Sequence, residues 1–112
     1  MSNPDWIKLT NHGTQIVLAP VGEIAYVQAT EFRAALRKAF DLKPSKIVVN
    51  LSQVDYMNTP GLATLVEALQ ISGKVKVALV LCCLNEKVQA IFDIARLNTV
   101  FKITPTVEAA LA

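Results

Sequence analysis

Apolar residues recur along this chain in two rhythms. Trp6–Thr10 alternates, with Ile7 and Leu9 on one face, and Asn11-His12-Gly13 is a turn signal. Thr14–Val21 then predicts a second strand, so the pair reads as a hairpin. From about Val27 the period lengthens: Phe32, Ala35, Leu36, Ala39 and Phe40 stand at i, i+3, i+4, i+7 and i+8. That is the stripe of an amphipathic helix, which Lys43-Pro44 should end. Ile47–Leu51, short and β-branched, predicts a third strand. Leu62, Leu65, Val66 and Leu69 return to the helical spacing, and Gly73 is expected to stop that helix. Val75–Cys83 is the most apolar strand and is expected at the centre of the sheet. Val88, Ile91, Phe92 and Ala95 mark a third helix, and Val100–Ile103 a short last strand. Thr104-Pro105 then opens a final helix carrying Val107, Ala110 and Leu111. The order ββαβαβαβα predicts a single α/β domain with a mixed, mostly parallel sheet. An N-terminal β-hairpin forms one edge, and helices pack on the sheet.

Composition sharpens this picture at one point. The 112 residues are 53% apolar, with a mean hydropathy of +0.41. The longest unbroken apolar run, Val77–Leu84, is eight residues, against about 20 for a membrane-spanning helix. The excess therefore points to strands buried on both faces, with an exposed apolar patch as a further expectation. No direct membrane insertion is expected. The polar opening Met-Ser-Asn-Pro-Asp carries no secretory or lipidation signal, which predicts a cytoplasmic protein.

Charge adds little. With 11 basic and 9 acidic residues the net charge is +2. The cluster Arg33, Arg37, Lys38, Lys43 and Lys46 is diluted by Glu31 and Asp41 and has no interleaved aromatics. It reads as a solvated face, and no nucleic-acid partner is expected.

Catalytic chemistry finds no footing either. His12 is the sole histidine and falls in the hairpin turn. Cys82 and Cys83 are adjacent, which is neither redox nor zinc spacing. On a strand one would face each side, so both read as small core residues. A thiol enzyme built on Cys82 or Cys83 is the weakest of the readings. The four glycines form no phosphate loop. The expectation is a protein that is not an enzyme, with no metal site and no cofactor of its own.

One stretch stands apart. In Asp55–Leu65, DYMNTPGLATL, a threonine precedes Pro60-Gly61 at the start of a helix. Local chemistry makes Thr59 an N-cap with Pro60 in the first helical position. Thr104-Pro105 offers an internal comparison with the same local rule.

The surroundings of Thr59 carry a resemblance. Residues 47–62, IVVNLSQVDYMNTPGL, resemble the signature of the STAS family, the anti-sigma factor antagonists and the related domains of anion transporters. In that signature a strand leads through Asn or Asp and Leu to Asp-Ser-Ser-Gly-Leu at a helix start. Gly22-Glu23-Ile24 is similar to the family's Gly-Glu-Leu, and IARLNTVFKITPTVEAALA to its C-terminal pattern, so the resemblance covers nearly the whole chain. Ala25 and Arg96 depart from its common Asp and Gly. At the signature itself Asn58 replaces the aspartate, Thr59 the first serine and Pro60 the second.

The resemblance implies a partner-switching regulator of the anti-sigma factor antagonist type. The unmodified protein would bind an anti-sigma factor of the histidine-kinase-like ATPase type. That partner would phosphorylate Thr59 and let go, a phosphatase would reset the protein, and ATP and Mg²⁺ would belong to the partner. Asn58, Pro60 and Gly61, with Ala63, Thr64 and Glu67 on the exposed side of the helix, would form the contact. A second reading is a STAS subunit that is never phosphorylated, part of a signalling scaffold or a transport complex. Homodimerisation through the sheet edge is left open.

Overall fold

The computed structural model describes residues 3–112; Met1 and Ser2 of the polar opening lie outside the described residues. Alternation builds the hairpin of β1 (Ile7–His12) and β2 (Gln15–Pro20), paired from Ile7↔Pro20 to His12↔Gln15. Its two-residue loop is Gly13-Thr14, one step later than the turn signal suggested. Gly13 has φ +68°, as the first loop position of a type II′ turn requires.

The main sheet runs β1-β2-β4-β6-β7, where β4 is Lys46–Asn50, β6 is Ala78–Cys82 and β7 is Lys102–Thr104. Only the hairpin is antiparallel; β2, β4, β6 and β7 pair in parallel. Central place belongs to β4 rather than to the more apolar β6, which stands beside it under the short edge strand β7. Position in this sheet follows the crossovers, and hydrophobicity reports only burial on both faces.

That burial is visible strand by strand. Ile16, Leu18, Ile47, Val49, Leu79 and Leu81 face a core closed by Phe32 and Leu36, Leu65 and Ala68, and Val88 and Phe92. These come from α1 (Tyr26–Asp41), α2 (Thr59–Val75) and α3 (Glu86–Ile94). The alternate residues Val17, Val48, Val80 and Cys82 meet Val107, Ala110 and Leu111 of α4 (Val107–Leu111) on the other face. The short α4 is held by Lys46, whose Nζ donates to the carbonyls of Ala110 (2.8 Å) and Ala112 (3.1 Å). Gln15 Nε2 donates to Leu111 at 3.1 Å. A cation on the carbonyl end of a helix complements its dipole.

Several boundaries differ from expectation. Two strands were not foreseen: β3 (Gly22–Ile24) and β5 (Val54–Met57) form a separate parallel pair, so the order is βββαββαβαβα. Helix α2 passes through Gly73 and ends where Lys76 turns left-handed at φ +59°, its N–H donating to Ser72 O. Glycine alone lowers helix propensity without ending a helix whose apolar face stays buried. Val75, expected in a strand, is therefore helical, and β6 starts at Ala78. Thr104 closes β7 instead of opening α4; Thr106 is the N-cap, its Oγ1 accepting from Ala109 N at 3.1 Å. Cys82 and Cys83 also share one side. Cys83 lies beyond β6 with φ +65° and packs, like Cys82, on the α4 face.

Candidate functional site

The small β3–β5 sheet sets the position of Thr59. Ile24 pairs with Met57, and the ladder ends as Asn58 N donates to Ile24 O at 3.4 Å. Asn58 is extended (φ −107°, ψ −173°), and its carbonyl takes the first helical N–H, from Leu62 at 3.0 Å. Asn58 is thus the N-cap, and Thr59 and Pro60 are the first two helical residues. The capping role expected of Thr59 is corrected: strand pairing, not the Thr-Pro dipeptide, fixes where α2 begins. The Asn58 side chain makes no cap hydrogen bond, and its Oδ1 is buried with no partner among the described residues.

Freed from capping, Thr59 is exposed, and its hydroxyl bonds to no described residue. Gly61 is needed just behind it. A Cβ at that position would run into the backbone carbonyl oxygen of Ile24, with Ile24 Cγ2 at 3.2 Å. Only a bare Cα lets α2 start so close to β3.

The expected contact residues divide. Thr59 and Ala63 face solvent, and Asn58 and Pro60 are half-buried. Gly61 is buried under β3. Thr64, expected on the exposed side, is 1% exposed, and its Oγ1 donates to Pro60 O at 2.9 Å. Glu67 turns to α1, with Arg33 at 3.3 Å and Arg37 at 3.4 Å from its carboxylate. In a helix, residues three and four apart share a face, so Thr64 follows Gly61 and Ala68 inward, and Glu67 falls on the α1 seam.

Sequence reasoning missed the apolar half of the surface. Tyr56, Met57, Asn58, Thr59, Leu62, Ile91, Ile94 and Ala95 line an open hollow of about 290 Å³. Ile94 is 85% and Tyr56 49% exposed, and α1 starts nearby with Tyr26 at 77% and Val27 at 72%. One signal was available: Ile94 stands off the Val88–Ile91–Phe92–Ala95 stripe, an isoleucine where α3 should be polar.

The model of the STAS domain matches residues 6–110. The chain belongs to the STAS domain family. It is 28% identical over 91 residues to the putative anti-sigma factor antagonist BtrV of Bordetella bronchiseptica, covering 81% of this chain and 78% of that protein. An anti-sigma factor antagonist from Mycobacterium paratuberculosis shares the fold at a TM-score of 0.86 and 23% identity, over 94% of this chain and 89% of that one. The phosphorylated form of the Bacillus cell fate determinant SpoIIAA superposes at 0.71 and 18% identity, over 94% and 96%. Residues 47–62 and Gly22-Glu23-Ile24 are thus elements of a STAS domain, and the small sheet that joins them brings β3 against the Thr59 turn. Among the described residues no helix is long and apolar enough to cross a membrane.

Proposed function

We propose that this STAS protein is an anti-sigma factor antagonist that works by partner switching, with Thr59 as the switch. The observation that carries the reading is the Thr59 hydroxyl. It is exposed and has no partner among the described residues, in the first turn of α2 on the rim of an apolar hollow. The unmodified surface would dock an anti-sigma factor of the histidine-kinase-like ATPase type through Asn58, Thr59, Pro60 and Ala63. Tyr56 and Ile94 would supply the apolar anchors that interfaces favour.

The partner would then act on what it holds. Thr59 Oγ1 attacks the γ-phosphorus of the partner's ATP. The new O–P bond forms as the bond to the β-phosphate oxygen breaks, ADP leaves, and the hydroxyl proton goes to a base of the kinase. The product carries about −1.5 to −2 charges. At the start of α2 these meet the positive end of the helix dipole, worth about 0.3–1 kcal/mol, so the fold tolerates them. Against an apolar partner surface the same charges cost desolvation. A change neutral to the fold and hostile to the interface releases the partner, and a phosphatase restores binding. Gly61 and Thr64 serve by shaping the turn, and Glu67 by joining α2 to α1.

A second reading has its own support. Asn58 is neutral where the family signature carries a carboxylate, its Oδ1 faces inward, and Pro60 stiffens the turn. Both suit a subunit of a scaffold or transport complex that is never phosphorylated. Incubating wild type and Thr59→Ala with the partner kinase and labelled ATP separates the two. Switching predicts that Thr59→Ala loses the label and keeps the partner. Label retained on Thr59→Ala removes that residue from the role, and no label on wild type favours the fixed subunit.

A further inference from the structure

We propose that the groove between the C-terminal ends of α1 and α2 binds a small amphipathic anion, an acyl or alkyl chain with a carboxylate or phosphate head. The inference is independent of Thr59. It concerns the opposite end of α2, where Arg37, Phe40, Asp41, Lys43, Pro44, Ile71, Val75, Lys76 and Val77 line a hollow of about 550 Å³. That lies within the range of about 300–1,000 Å³ common for small-molecule sites. Its floor is apolar: Phe40, Pro44, Ile71, Val75 and Val77. Val75, the last residue of α2, is left 52% exposed there.

The rim is basic, and two of its cations are unusual. Lys43 and Lys76 both have left-handed backbones, φ +54° and +59°. Both stand where a chain leaving a helix most often has glycine. A non-glycine residue at positive φ is uncommon, and here two lysines take that conformation on one groove. Neither has an ion pair or a side-chain hydrogen bond within the described residues. Arg37 is held back by Glu67 at 3.4 Å. Asp41 is the one carboxylate among the lining residues.

A bland account exists for the charges: cations near helix C-termini complement the dipole. The left-handed backbones in turn belong to the two helix ends, and neither feature accounts for the apolar floor between the two lysines. At each helix end the backbone turn itself closes one carbonyl. Phe40 O accepts from Lys43 N at 2.9 Å, and Ser72 O from Val77 N at 3.1 Å. With no ion pair or side-chain hydrogen bond among the described residues, the two ammonium groups are available to an outside acceptor. With Arg37 paired to Glu67, Lys43 and Lys76 against Asp41 leave the rim net positive and select an anion, and the floor selects a chain behind its head.

The test is a two-dimensional amide NMR titration of the full chain with sodium decanoate, with decyl phosphate, and with 1-decanol as the neutral control. The expected result is saturable shifts confined to residues 40–44 and 71–77 with at least one of the anions. The tighter of the two identifies the head group. Lys43→Gly with Lys76→Gly should weaken that binding by about tenfold or more, since charge-assisted contacts are lost. Glycine suits both backbones, so this double variant keeps the fold, and its spectrum verifies that directly. Three results would overturn the proposal: no saturable shift with either anion up to about 1 mM, equal affinity for 1-decanol, or undiminished binding by the double variant.

Discussion

Gly61 and Gly73 sit in one helix, and the same substitution at each should move stability in opposite directions. Gly61→Ala places a methyl group against the Ile24 carbonyl oxygen, with Ile24 Cγ2 at 3.2 Å and the carbonyl carbon at 3.4 Å. The obstacle is backbone, so either β3 or the first turn of α2 must move. Overpacking of this kind costs about 1–3 kcal/mol. Alanine recovers about 0.5–1 kcal/mol through helix propensity, leaving a net loss of about 1 kcal/mol at the middle of that range. For a chain of this length that lowers Tm by about 4–8 °C. Gly73→Ala meets nothing within 4 Å and gains the propensity alone, raising Tm by about 2–4 °C. Neither glycine has a positive φ, so backbone freedom does not distinguish them. Thermal unfolding followed by far-ultraviolet circular dichroism, with urea midpoints as a second measure, reads both. A Gly61→Ala protein as stable as wild type would refute the close approach of β3 as the reason for glycine. Because the displaced turn carries Thr59, the same variant should also bind its partner more weakly.

Other outcomes follow from contacts elsewhere. Asn85 caps α3 by accepting from Val88 N at 2.9 Å and donates to Val54 O at 2.7 Å. Asn85→Ala should cost about 1–3 kcal/mol in urea unfolding, because the cap is lost and the β5 carbonyl is left bare. Phe92 is fully buried and meets Phe101 edge-to-face at 5.9 Å; Phe92→Ala should cost about 3–5 kcal/mol, read the same way. Burial, then the neighbouring Cys83 and Glu108, push the Cys82 thiol up from 9.0 to about 12. A raised folded pKa favours the protonated thiol in the native state. Its stabilisation is whole below the unfolded value of 9.0 and is lost as pH climbs towards 12. Urea midpoints between those limits should fall more steeply for wild type than for Cys82→Ala.

The alternating and i, i+3, i+4 patterns made the hairpin, β4, β6 and the three long helices legible, because each buries one defined face. The doubly buried strands were legible too: apolar runs without alternation in β4 and β6 match two faces closed by helices. What escaped was built from short contacts. Strands β3 and β5 are three and four residues long, too short for a period to register, yet their pairing sets the start of α2. Without them the Thr-Pro dipeptide had to stand for a cap, and both Thr59 and Thr104 were placed one role away from where they lie. Thr64 and Glu67 were misplaced for a related reason. The helix face towards solvent cannot be chosen until the partner helix α1 is in place. The residues of the Thr59 turn were legible through the family signature, whereas Tyr56 and Ile94 beside them emerged only when β5 and α3 came together.

The most direct measurement of the switch is a paired capture from the native host with tagged wild type and Thr59→Glu, read by mass spectrometry. The account predicts that wild type retains a histidine-kinase-like ATPase and that the glutamate variant, with a fixed negative charge in the first turn of α2, loses it. Retention of that same partner by both proteins, at equal yield, would contradict the switch and leave Thr59 as a solvent-exposed residue of a fixed subunit.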